Sequence, residues 1–173
     1  MARRHRFAGV VLTALVLAAC GDRHASAPPA PKELTGEEIG YFCKMVVVDH
    51  SGPKGQIFLA DVADPLWFTS VRDTLAFTRL PDEPKTIRAI YVTDEGAASW
   101  DHPEPGTWVD ATRAWFVIDS DKRGGMGAPE VVPFRERSAA DRFAGLHHGK
   151  VVNFEGVPTD RLLGSGTVAD HGH

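Results

Sequence analysis

The chain has 173 residues, which is enough for one domain or two small ones. Its hydrophobic content of 43% and charged content of 24% exclude a collagen-like chain, a mainly disordered chain and a multi-span membrane protein. The formal net charge of −4 argues against binding by phosphate neutralisation, so we expect no nucleic-acid partner. Two cysteines, Cys20 and Cys43, are too few for a disulfide framework.

The first twenty residues have the organisation of an export signal. Residues 1–6 are rich in arginine, and residues 7–19 form an apolar run that is too short for a comfortable membrane span. The run ends in Leu-Ala-Ala-Cys, which resembles the lipobox of bacterial lipoproteins. We therefore predict a signal peptide at 1–19 and lipidation of Cys20, whose acyl chains would hold the protein to a membrane. A plain secretory signal or a buried apolar helix is the alternative.

Residues 20–38 contain the candidate lipidation site and a Pro/Ala/Ser-rich stretch without apolar periodicity. This composition predicts a flexible linker between the lipid and the folded domain. The folded domain is expected at 39–155. Residues 156–173 show no clear periodicity and are predicted to form a C-terminal tail.

The first half of the domain predicts the order strand, strand, helix, strand. Its predicted strands are dense in β-branched and aromatic residues and lie at 41–48, 56–60 and 87–93. The helix is predicted over 65–77, with Pro65 at its start and Asp64 as its N-cap.

The second half predicts the same order. Its strands are expected at 113–119, 130–134 and 150–154. An amphipathic helix is predicted over 137–147. The pattern indicates an internal duplication, with repeat units at about 41–93 and 113–154 and a joining segment between them. Each unit alone is near the lower size limit for a stable core, so the two are expected to share one. The predicted fold class is α+β, with two β-β-α-β units.

Cys43 and Met45 are the candidate chemical centre. They are separated by one residue on a predicted strand, so both sulfur atoms would lie on one face. A thiolate and a thioether together favour Cu(I) over Mg²⁺ or Ca²⁺, which prefer oxygen ligands. If Cys20 is lipidated, Cys43 is the remaining free thiol of an exported chain, which favours a metal site. Two core residues on the inner face of a strand are the alternative.

Met126 is the other candidate sulfur donor. It lies in the sequence Gly-Gly-Met-Gly, a loop that could present its thioether to the strand of the first unit. A methionine that fills a hydrophobic gap is the alternative. Among the histidines, His50 is the best candidate for an additional ligand, and the role of His171 and His173 stays open.

Catalytic motifs are scarce. The sequence has no C-x-x-C motif and no phosphate-binding glycine-rich loop, and Cys43 has no Cys-His hydrolase signature around it. We therefore predict a binding protein and not an enzyme. A cysteine-dependent enzyme that uses Cys43 as nucleophile and a lipoprotein scaffold without metal are the alternatives.

A set of motifs resembles the NosL family of copper-binding accessory lipoproteins of nitrous oxide reductase, over about residues 40–155. The motifs are Leu17-Ala18-Ala19-Cys20, Cys43-Lys44-Met45, the set Phe68, Asp73 and Phe77, Ala114-Trp115-Phe116-Val117, Met126-Gly127-Ala128 and Val132-Pro133-Phe134. The family fold, two β-β-α-β units similar to organomercurial lyase, agrees with the predicted duplication. Lys44 and the lack of a second nearby cysteine depart from many members and leave a single thiolate.

The resemblance implies a lipid-anchored Cu(I) metallochaperone on the periplasmic face of a bacterial membrane. It would deliver copper for the copper-sulfide centre of nitrous oxide reductase and cooperate with a dedicated ABC transporter complex. In this interpretation Cys43 supplies the thiolate, Met45 adds a thioether and Met126 closes the site from its loop. Which membrane carries the anchor stays open.

Overall fold

The computed structural model describes residues 27–164. The predicted signal peptide 1–19, the lipidation site Cys20 and the pair His171 and His173 lie outside these residues. The elements of the first half of the described chain are β1 (Gly55–Leu59), β2 (Leu66–Phe68), α1 (Val71–Arg79), β3 (Ile87–Thr93) and β4 (Trp108–Asp110). Its strands form a four-stranded antiparallel sheet in the order β2-β1-β3-β4.

The elements of the second half are β5 (Trp115–Ile118), β6 (Val132–Phe134), α2 (Arg137–His147) and β7 (Lys150–Asn153). Its strands form a three-stranded antiparallel sheet in the order β6-β5-β7. In each unit the first strand, β1 or β5, lies between two others. The strand before the helix pairs with one edge of this first strand, and the strand after the helix pairs with the other edge. The α+β fold with two β-β-α-β units is therefore confirmed.

The two units share one hydrophobic core, as their small size predicted. A single cluster of buried side chains joins Ile57 and Phe77 of the first unit to Phe116 and Ile118 of the second. A smaller cluster lies between α2 and the second sheet. No helix within residues 27–164 is long and apolar enough to cross a bilayer.

The predicted helix over 65–77 is wrong in its first part. Leu66–Phe68 is β2, which pairs with β1, and α1 begins only after Ser70. The Ser70 hydroxyl accepts a hydrogen bond from the backbone N–H of Asp73, 3.1 Å away, so Ser70 and not Asp64 is the N-cap. The bulky apolar residues before Ser70 gain more from pairing and burial in a sheet than a longer helix would give them.

The predicted flexible linker is wrong over residues 27–38, which are docked on the first sheet. The side chain of Gln56 is fully buried in β1, so its amide needs partners. It exchanges two hydrogen bonds of 2.9 Å with the backbone of Lys32. The Tyr91 hydroxyl donates a further bond of 2.6 Å to the carbonyl of Pro29. These contacts hold the segment in place.

The predicted tail is wrong over residues 156–164. Thr159–Leu163 forms α3, which packs against α1, and the Leu162 side chain is buried in the shared core. An ion pair of 2.7 Å joins Arg161 of α3 to Asp119 of the second unit. The apolar residues of this short segment were too few for a periodic pattern, but tertiary packing orders them.

Candidate metal site

The segment predicted as a strand over 41–48 forms a tight loop instead. Ile39 and Val46 make an isolated antiparallel bridge across the base of the loop. Above the bridge, the N–H of Gly40 donates to the carbonyl of Met45 at 2.8 Å. The β-branched run that suggested a strand therefore provides one side of a bridge and then a turn of 3₁₀ helix over Val47–Asp49.

Lys44 explains why a strand does not form. Its φ of 57° lies in the left-handed region, and its N–H donates to the carbonyl of Gly40 at 2.9 Å, which reverses the chain. Side chains in such a turn do not alternate between two faces as in a strand. The argument that Cys43 and Met45 share one strand face is therefore wrong, although both residues remain on the same short loop.

Cys43 is half-buried near the tip of this loop. The Thr69 hydroxyl donates a hydrogen bond to its sulfur at 3.6 Å. The loop is closely packed here, because a Cβ on Gly40 would lie 2.4 Å from the Cys43 sulfur. Only glycine at position 40 leaves space for the thiol in its present position.

The two candidate thioethers are exposed. Met45 keeps 38% of its surface accessible and Met126 keeps 56%. The alternative that Met126 fills a hydrophobic gap is therefore wrong, as is that of Met45 as a core residue. Both side chains are free to contact a ligand or a partner.

The loop that carries Met126 lies against the first unit. The N–H of Gly125 donates to the carbonyl of Ser51 at 3.0 Å. A Cβ on Gly125 would lie 2.7 Å from the Cβ of His50, so glycine permits this close approach. The structure thus brings the Met126 loop next to His50, which follows the Cys43 loop in the sequence.

A cavity of about 270 Å³ lies between the Met126 loop and the start of α1. It is lined by Thr69, Ser70, Arg72, Asp73, Gly124, Met126, Ala128, Pro129 and Glu130. Thr69 belongs both to this wall and to the surroundings of Cys43, because its hydroxyl contacts the Cys43 sulfur. Thr69 therefore connects Cys43 to the cavity that Met126 borders.

Glu130 is a buried acid in the cavity wall that the sequence analysis missed. Its Oε1 accepts hydrogen bonds of 2.9 Å from the backbone N–H groups of Arg72 and Val131. Its Oε2 is buried and has no hydrogen-bond partner among the described residues. Burial raises the pKa of Glu130 to about 8, although the two backbone bonds oppose the change. An acid immediately before the apolar run Val131–Phe134 was the available signal.

Lys54 is a second buried ionisable residue that the sequence analysis missed. Its Nζ donates to the carbonyls of His50, at 2.5 Å, and Gly52, at 2.6 Å. Burial lowers the pKa of Lys54 to about 8, against the attraction of Glu130 and Glu95. These bonds fix the backbone on which the Met126 loop rests.

The donors available to a metal are mainly sulfur atoms. Within residues 27–164, no three His, Cys, Asp or Glu side chains lie close enough to hold a metal ion together. A structural zinc site generally needs four nitrogen or sulfur ligands, commonly several thiolates. Cys43, Met45 and Met126 instead offer one thiolate and two thioethers, a set that suits a soft monovalent ion.

The fold and these loops define a two-unit α+β protein that carries a candidate thiol ligand and two candidate thioether ligands on loops of both units. Residues 31–162 match the family model described as NosL. A copper-binding lipoprotein NosL from Achromobacter cycloclastes is 42% identical over 165 residues, which cover 94% of this chain and 84% of the relative. A protein of the same name from Stutzerimonas stutzeri is 30% identical over 163 residues, with the same coverage. The chain belongs to the NosL family, as its motifs predicted.

The fold is also similar to a solved member of the family. The crystal structure of the copper chaperone NosL from Shewanella denitrificans superposes with a TM-score of 0.71 at 26% identity. The match covers 75% of this chain and 97% of that one. The names of these relatives describe copper-binding lipoproteins and a copper chaperone, not enzymes.

Proposed function

We propose that this protein binds one copper ion, as Cu(I), and carries it to a partner. The observation that carries the proposal is a half-buried free thiol together with two exposed thioethers, on the Cys43 loop and on the Met126 loop that lies against the first unit. Cys43 would supply the thiolate, Met45 a thioether from the same loop and Met126 a thioether from the facing unit. The relatives named for copper binding support this assignment.

The donor set favours loading and release of Cu(I). Thiolate and thioether ligands select Cu(I) over harder cations. Two or three ligands on loops at the surface leave the ion accessible to the ligands of a receiving protein. A thiolate as the one anionic donor gives the site its affinity, whereas the neutral thioethers add to it and are easily exchanged.

The Cys43 sulfur has surroundings that favour metal binding over nucleophilic catalysis. The hydrogen bond that it receives from the described residues comes from Thr69, whose hydroxyl is not a general base. A catalytic thiol needs a base within hydrogen-bond reach, commonly a histidine. We therefore propose a role without catalysis, in which the thiol is a ligand.

We further propose that Cys20 anchors the protein by lipid to the periplasmic face of a bacterial membrane. The Leu-Ala-Ala-Cys motif and the relatives named lipoproteins support the anchor. The family resemblance supports delivery of the copper to nitrous oxide reductase, for its copper-sulfide centre, together with a maturation ABC transporter complex. Deletion of the gene should leave the reductase in the cell depleted of copper, and expression of the wild type but not of Cys43→Ser should restore it.

The binding function is tested by competition titration of purified, reduced protein with Cu(I) and a chromogenic chelator. We expect one Cu(I) per chain in the wild type and loss of most affinity in Cys43→Ser. Val62→Ala is the control, since it changes an exposed apolar residue outside the site and should bind like the wild type. Equal affinity of Cys43→Ser and the wild type, or a preference for Zn(II), would contradict the proposal.

A further inference from the structure

We propose that Thr69 is a positioning residue for copper binding, because its hydroxyl holds the sulfur of Cys43 in one orientation before and after the metal arrives. The inference rests on the proposed function and deepens it, since it concerns the surroundings of the same thiol and adds no ligand. The Thr69 hydroxyl donates to the Cys43 sulfur at 3.6 Å, and this is its one side-chain hydrogen bond within residues 27–164.

Thr69 occupies a place in the fold that leaves its hydroxyl little freedom. Only 3% of its surface is accessible. The residue before it, Phe68, is the last of β2 and pairs with Gly55 of β1. The residue after it, Ser70, is the N-cap of α1. The backbone of Thr69 is therefore fixed on both sides, and its hydroxyl has a stable position to which the sulfur can be held.

The second unit holds the same corner in place. Glu130 Oε1 accepts a hydrogen bond of 2.9 Å from the backbone N–H of Arg72, in the first turn of α1. Glu130 follows Met126 by four residues in the sequence, and both line the cavity that Thr69 also lines. The start of α1 is thus joined to the segment that carries the Met126 thioether. A sulfur held by Thr69 therefore has a defined position relative to that segment.

The backbone of the Cys43 loop does not by itself orient the thiol. Its hydrogen bonds run from Gly40 to Met45 and from Lys44 to Gly40, and they fix the main chain but not the side chain. A cysteine side chain rotates between three staggered positions unless a contact selects one. The Thr69 hydroxyl provides such a contact, and Gly40 leaves space for it, because a Cβ there would lie 2.4 Å from the sulfur.

A hydrogen bond from a hydroxyl acts on a thiolate ligand in two opposing ways. It orients the sulfur, which strengthens metal binding, and it withdraws electron density, which weakens the sulfur as a donor. Loss of a group that orients a metal ligand typically costs about ten- to a hundredfold in affinity, so we expect orientation to be the larger effect. A thiolate has lone pairs for both the metal and the hydroxyl, so the bond from Thr69 persists in the loaded site.

The test compares two substitutions of Thr69 by competition titration with Cu(I) in the full chain. Thr69→Val keeps the β-branched shape and removes the hydroxyl, so Cu(I) affinity should fall about ten- to a hundredfold. Thr69→Ser removes a methyl group but keeps the donor, so most of the affinity should return. The affinities should therefore follow the hydroxyl and not the volume of the side chain.

The ultraviolet charge-transfer band from sulfur to copper supplies a second readout. Without the hydrogen bond the thiolate holds more electron density and transfers it at lower energy. The band of Thr69→Val should therefore lie at longer wavelength than the band of the wild type, and that of Thr69→Ser should keep its position. A merely structural role for Thr69 would lower the amount of folded protein but leave the band of the bound copper where it is.

Thr78→Val is the matched control. The Thr78 hydroxyl donates to the carbonyl of Leu75 at 2.7 Å, about 12 Å along α1 from its N-cap. The variant loses a threonine hydrogen bond of the same helix but should bind Cu(I) like the wild type. Thermal unfolding checks that all variants are folded. Thr69→Ala takes the place of Thr69→Val, with the same expectations, if the valine variant does not fold.

The inference is overturned if the folded variant without the hydroxyl binds Cu(I) like the wild type, or if Thr69→Ser loses as much affinity as Thr69→Val. An unchanged charge-transfer band in Thr69→Val would also overturn it, because the hydroxyl would then not contact the bound thiolate. In each case a large loss in Cys43→Ser leaves the proposed function intact. If the wild type itself binds no Cu(I), the proposed function fails and the inference fails with it.

Discussion

Gly40→Ala is the sharpest test of the loop that carries Cys43. A Cβ at position 40 would lie 2.4 Å from the Cys43 sulfur, far closer than atoms can approach without contact strain, and 3.3 Å from Cγ2 of Thr69. The φ angle of Gly40 is not positive, so alanine can adopt the same backbone conformation. The substitution therefore acts on the thiol and not on the main chain.

We expect Gly40→Ala to lower both the free energy of unfolding and the affinity for Cu(I). Overpacking in a fixed site costs about 1–3 kcal/mol. The smaller conformational entropy of the unfolded chain offsets about 0.4–1 kcal/mol of this cost, so we expect a net loss of stability of about 0–2.6 kcal/mol. The sulfur moves away from its place beside Thr69. If this removes one ligand contact, of about 1.4–2.8 kcal/mol, Cu(I) affinity falls about ten- to a hundredfold.

The assay combines Cu(I) competition titration with thermal unfolding. Gly145→Ala is the control, since a Cβ at this helical position meets no atom within 4 Å. It should raise stability slightly and leave Cu(I) affinity unchanged. If Gly40→Ala is folded and binds Cu(I) with the affinity of the wild type, the position of the Cys43 sulfur in this structure does not determine binding, and the reasoning is refuted.

Three further predictions concern the thioethers, the buried acid and the helix cap. Met45→Leu and Met126→Leu should each weaken Cu(I) binding about tenfold and leave the unfolding temperature unchanged, because both side chains are exposed; a change in stability alone would contradict their role as ligands. Folding raises the pKa of Glu130 from its ordinary value of 4.5 to about 8, so the folded chain takes up a proton at pH values between the two. The free energy of unfolding therefore falls as the pH rises through that range. Glu130→Gln should flatten this slope in denaturant titrations across pH 5–8, and an unchanged slope would exclude a raised pKa. Ser70→Ala should lower the free energy of unfolding by about 1 kcal/mol through loss of the cap, and no change would mean that water replaces it.

Regular elements were predictable from local patterns. The strands β1 and β3 and all elements of the second unit lie close to their predicted bounds, because β-branched runs and a helical period are strong local signals. The duplication was visible for the same reason, since two copies of one pattern support each other. The start of α1 was missed because Leu66–Phe68 is ordered by its pairing with β1 and not by its own propensity.

The loop at Cys43 could not be predicted from propensity. Residues 41–48 have the composition of a strand, but the backbone reverses at Lys44 and the Tyr41 N–H donates to the carbonyl of Trp67 at 2.7 Å. That partner is 26 positions away in the sequence, so no local pattern reports it. Cys43, Met45 and Met126 were chosen as candidate ligands from their residue types, and their role as ligands stays a prediction.

The buried pair Lys54 and Glu130 was beyond the reach of sequence reasoning for another reason. Each residue belongs to a different unit, and their electrostatic interaction exists only when the units share a core. Both charged residues were visible in the sequence, but exposure was the ordinary expectation for them. Buried ionisable groups next to a candidate site are therefore information that only the structure supplies.

X-ray absorption at the copper K-edge is the most direct test of the central claim, that sulfur atoms of two facing loops hold Cu(I). The protein loaded with one Cu(I) should show a first shell with sulfur in the majority, and Met126→Leu should lose one sulfur scatterer while Cys43→Ser loses the ordered site. A first shell made only of nitrogen and oxygen, or one that is the same in Cys43→Ser as in the wild type, would contradict the account.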